Sequence, residues 1–74
     1  MKNEIENLIK NQLAYIDMMN ENSNGISTEG SQKFISELMG MRMAFATMGI
    51  EVNFNINSCY YINHEPSTYT INEK

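Results

Sequence analysis

Few residues in this chain have chemistry to offer: one cysteine, Cys59, one histidine, His64, nine carboxylates and Arg42. Cys59 and His64 stand five positions apart, and a thiol beside an imidazole can act as nucleophile and base. On the strand that this segment's composition predicts, that spacing sends the two side chains to opposite faces. No third group is placed to orient the imidazole, and no helix N-terminus precedes Cys59 to activate it. Acid–base work by carboxylate pairs needs convergence in a pocket. Glu4 and Glu6 have a capping role open to them, Asp17 and Glu21 fall at a solvated helix end, and Glu65 falls in a turn. A structural zinc ion takes about four ligands, and Cys59 and His64 supply only half that set. The expectation is a chain that is not an enzyme and has no catalytic, cofactor or metal site.

Arg42 is the sharpest single residue. Leu38, Met39, Phe45 and Ala46 hold the places three and four positions away, so its own helix offers no carboxylate. A guanidinium in such surroundings needs an acid from elsewhere or a ligand anion. An antiparallel hairpin sets Arg42 level with Leu8, within reach of Glu4 or Glu6; a pair across subunits is the alternative. Tyr60, Tyr61 and Tyr69, with Thr68 and Thr70, offer a stacking surface. If Ile62 faces inward, Tyr60 follows it, and Tyr61 joins Asn53 and Asn55 on the outer face of a sheet.

The elements that position these groups follow from a change of hydrophobic period at Gly49. Phe34, Leu38, Met41, Phe45 and Met48 recur at helical spacing, whereas Ile50, Val52, Phe54 and Ile56 alternate with polar residues. A first helix is expected over 4–21, capped by Asn3 with Glu6 in a capping-box position. Its apolar stripe is Ile5, Leu8, Ile9, Leu13, Ile16 and Met19. Asn22, Ser23, Asn24 and Gly25 end it, and Ser27 or Thr28 caps a second helix over 29–48. Gly49 takes the position after that helix. Strands follow over 50–56, 59–63 and 68–72, the first two joined by a turn at Asn57 and Ser58 and the last two by His64 to Ser67. The expected fold is α+β, in the order ααβββ: an antiparallel helical hairpin (3–48) followed by a β-meander (50–72), in one domain over 1–74.

The second helix is apolar around most of its circumference, and a helix of that kind is buried on more than one side. One partner helix and one small sheet cannot cover it. Gly40 and Ala44 form a small-residue notch on it, and Gly40 costs roughly 1 kcal/mol against Ala in a helix interior. Close approach of another backbone would offset that, either at Lys10 or Leu13 or on a second copy of the chain. Met41 and Met48 are expected in the core. Met39 and Met43 fall off the main stripe and divide between core and interface.

The chain has 74 residues, a formal charge of −4 and one cysteine. A domain this short buries roughly 60% of its unfolded surface. It has no disulfide to stabilise it, so self-association is the expected supplement. No cationic leader and no apolar run of membrane-spanning length stand out, and a cytoplasmic location is the expectation. Its basic residues are scattered, which disfavours nucleic acid as a partner. A helix-turn-helix reading fails on the same ground, since the second helix is apolar where a recognition helix is polar and basic.

The expected function is that of a small acidic protein-binding module, non-enzymatic, forming a homo-oligomer, most simply a dimer. It would modulate, and most simply inhibit, a larger partner, as an accessory protein of a phage or mobile element acting in its host's cytoplasm. Met39, Gly40, Arg42, Met43 and Tyr61 are the interface candidates. The alternative is an oligomeric binder of a nucleotide or other small anion, held between subunits by Arg42 and a tyrosine.

Overall fold

The computed structural model describes residues 2–23 and 29–73. Two long helices, α1 (Lys2–Ser23) and α2 (Glu29–Thr47), lead into strand β1 (Ile50–Asn55), a single-turn helix α3 (Tyr60–Asn63) and strand β2 (Thr68–Glu73). The class is α+β, and β1 and β2 form a two-stranded antiparallel sheet with Ile50 opposite Glu73 and Asn55 opposite Thr68. The expected turn at 22–25 and the caps at Ser27 and Thr28 fall wholly or partly outside the described residues. Asn3 lies within α1 and does not cap it.

The core follows the periodicity. Ile5, Ile9, Leu13 and Ile16 on α1 meet Leu38 and Phe45 on α2 and Val52 on β1. Each of these side chains contributes about 2 kcal/mol through burial. Phe34, Ile35, Met41, Phe54, Tyr69 and Ile71 pack around them, half-buried. Leu8 departs from the expected stripe and is 49% exposed. The helix-to-strand junction is as the sequence implied. The amides of Met48 and Gly49 bond back to Phe45 and Ala46, and Gly49 sits at φ 80°, a left-handed conformation that glycine adopts without strain.

The strand expected over 59–63 is absent, and the chain order is ααβαβ. Asn57 is the cause. Its side-chain oxygen accepts the amide of Cys59 and its carbonyl accepts the amide of Tyr60, which starts a helical turn. The carbonyl of Cys59 then accepts from Ile62 and Asn63, and His64 ends the turn at φ 57° with its amide bonded to Tyr60. Local hydrogen bonds of this type compete directly with a sheet ladder, and here they prevail. The expected facing of this segment fails with it: Ile62 is 64% exposed, and Tyr60 and Tyr61 are both half-buried on α3. On the outer face of the sheet, Asn53 and Asn55 oppose Thr70 and Thr68 instead of joining Tyr61.

Candidate interaction surface

Helix α2 presents two faces of different character. Leu38 and Phe45 point inward, with Phe34, Ile35 and Met41 half-buried beside them. The opposite side carries Ser36, Gly40, Met43 and Thr47, flanked by Met39, Ala44 and Ala46, and all of these are exposed. Met43 is 72% exposed, Met48 50% and Met39 40%. Of the two methionines expected in the core, Met41 is half-buried and Met48 lies exposed outside it. A Cβ placed on Gly40 would meet nothing within 4 Å, so neither Lys10 nor Leu13 fills the notch. The outer face is therefore shallow along its centre, where Ser36, Gly40 and Ala44 follow at four-residue intervals, and soft along its edge.

The chain as a whole exposes 4783 Å². A folded monomer of 8.5 kDa exposes about 4700 Å² by the usual scaling with mass. The fold therefore closes on itself as well as others of its size. What distinguishes its surface is the kind of side chain exposed, since thioethers and glycine adapt to a partner with little loss of shape or rotamer freedom.

Arg42 lies at the margin of this face, exposed, and makes no ion pair with Glu4 or Glu6 among the described residues. It lines a shallow groove of about 210 Å³ with Ala46, Gly49, Ile50, Glu51 and Val52. Met39, Gly40, Met43 and Arg42 thus share one helix, whereas Tyr61 stands apart on α3.

A second cluster went unseen in the sequence, because each of its members reads as an ordinary surface residue. Asp17 is only 6% exposed. It accepts the amide of Ser67 at 2.9 Å and the hydroxyl of Ser67 at 2.6 Å. Asn20, fully buried, donates to the carbonyl of Asn57 at 2.8 Å. Ser67 Oγ in turn accepts the Asn57 amide, and the Asn57 side chain donates to Asn63 and to the Glu65 carbonyl. Glu21 and His64 close the rim at 3.2 Å. The arrangement holds the 56–67 segment on α1, and both Asp17 oxygens are engaged in doing so. It is a structural latch. Cys59 is exposed and stands at the N-cap position of α3, where the sequence implied a strand and no helix terminus; its side chain makes no cap hydrogen bond.

Among the described residues no three acidic, cysteine or histidine side chains gather as metal ligands, and no helix is long and apolar enough to cross a membrane. Comparison of the chain with family models, with curated proteins and with solved structures finds no match.

Proposed function

We propose that this chain is a non-catalytic, self-associating protein-binding module that acts by covering a surface of a larger partner and so modulating it, most simply as an inhibitor. The observation that carries this reading is the outer face of α2: a fully formed helix with two protruding methionines beside an open glycine notch, uncovered by any other described element. Helix-in-groove recognition uses apolar anchors at this spacing. The alternative, an anion or nucleotide held at Arg42, has less support, because Glu51 lines the same groove and would repel a negative ligand.

A photo-crosslinking side chain at Met43 tests the proposal in the cells where the chain is expressed. A discrete adduct with a larger protein is expected from position 43 and from position 39, and none from position 10 on the exposed side of α1. Crosslinking that is equal at all three positions, or absent from all three, overturns the reading.

A further inference from the structure

We propose that the free edge of β2 pairs with the same edge of a second copy, joining two sheets into four antiparallel strands about a two-fold axis at Thr70. This rests on the reading of a self-associating module and names the surface that does it, leaving the outer face of α2 to the partner protein.

Among the described residues each strand has one neighbour, so β2 presents its outer edge of backbone donors and acceptors with no strand beside it. Both strands carry half-buried apolar side chains on their inner sides, Ile50 and Phe54 on β1 and Tyr69 and Ile71 on β2, and only β1 adds a fully buried one, Val52 at 1% exposure. Natural sheet edges are commonly guarded by lysine, proline or a bulge. The sequence Thr-Tyr-Thr-Ile-Asn-Glu has no lysine, arginine or proline, and its only charge, Glu73, lies at the end. Threonine, tyrosine and isoleucine are also strong strand formers.

The pairing is self-complementary in one register. With Thr70 opposite its own copy, Tyr69 faces Ile71 of the second chain and Ile71 faces its Tyr69, so both apolar pairs fall on the inner side. Thr68 then faces Asn72 on the outer side, and no like charges meet. Moving the axis to Ile71 sets Tyr69 against Glu73, and moving it to Tyr69 sets Ile71 against Ser67. An axis between residues would oppose inward to outward side chains. In the favoured arrangement β1 and the helix packed on it lie at the two ends of the sheet, away from the new seam.

The test uses the full chain with Cys59→Ser. Thr70→Cys should oxidise to a covalent dimer on its own, whereas Thr68→Cys and Asn72→Cys should crosslink only when the two are mixed. Thr70→Lys, which sets two like charges face to face, should weaken the dimer at least tenfold by light scattering with an unchanged circular dichroism spectrum. A wild-type chain that is monomeric at every concentration overturns the inference together with the self-association it rests on, and leaves partner binding through α2 standing. A dimer that Thr70→Lys leaves intact, or a Met43 adduct of twice the chain's own mass, overturns it as well.

Discussion

Helices α1 and α2 share the core, and each departs from the usual assignment of polar and apolar residues in its own way. On α1, Gln12, Asp17 and Asn20 are buried, and each has a specific partner elsewhere in the chain, although Asn20 bonds through Nδ2 alone and its buried Oδ1 has no partner among the described residues. On α2, Met39 and Met43 are exposed beside an open glycine. A buried polar group is tolerated when its hydrogen bonds are made, and it then fixes geometry, because few other arrangements satisfy it. Gln12 reaches the Phe34 carbonyl and Glu37, setting the register of the hairpin, while Asp17 and Asn20 set the position of the 56–67 segment. An exposed methionine fixes nothing within the chain. The contrast sets side chains that specify the fold against side chains that the described residues leave uncovered.

The largest test of that division compares neighbours on α2. Leu38, at 0% exposure, should lose about 3 kcal/mol on replacement by Ala, the usual range for a cavity in a core. Met39→Ala should stay within about 0.5 kcal/mol. Urea unfolding of the two variants reads both values, and similar losses would mean that the outer face is packed after all. The buried acid on α1 comes next. Asp17→Ala strands the amide and hydroxyl of Ser67 and should cost about 2 kcal/mol. Amide exchange should then rise selectively over 57–68, with the helical hairpin unchanged.

The same contrast explains what could be read from the sequence. Apolar periodicity is a one-dimensional signal, and it located both long helices, the glycine junction, β1 and the weakly marked β2 to within two residues at each end. The latch is a pairing of residues 50 apart, Asp17 with Ser67, and no local pattern announces it. Asn57 was legible only as a turn residue. That its side chain would bond Cys59, Asn63 and Glu65 and convert an apolar run into a helical turn goes with where Asn20 and Ser67 hold its backbone. The same missing information sends Tyr61 to a sheet face when its segment is read as a strand. The exposure of Met39 and Met43 was arguable in advance, because the number of elements available to cover α2 could be counted.

Gly40 gives a test of smaller size and opposite sign. With nothing within 4 Å of its Cβ position and an ordinary helical backbone, Gly40→Ala should stabilise the isolated chain by about 1 kcal/mol. If the notch receives a partner's backbone, the added methyl group stands in the seam, and partner adducts from position 39 should fall at least fivefold. A more stable chain that binds less well is the expected result. A loss of stability would place the glycine in an intramolecular contact, and unchanged binding would remove the notch from the interface.

Met43 should show the smallest effect on stability and the clearest on binding. At 72% exposure its side chain touches little of its own fold, so Met43→Glu should change the unfolding free energy by no more than about 0.5 kcal/mol. On a docked face the same change buries a charge without a partner, which weakens an interface by several kcal/mol. Partner adducts from position 39 should therefore vanish. The β2-edge dimer should persist, because the substitution is remote from Thr70. Loss of both properties together would mean that one surface serves both associations. If neither were lost, the methionines would be exposed without consequence, and the asymmetry between the two helices would carry no functional meaning.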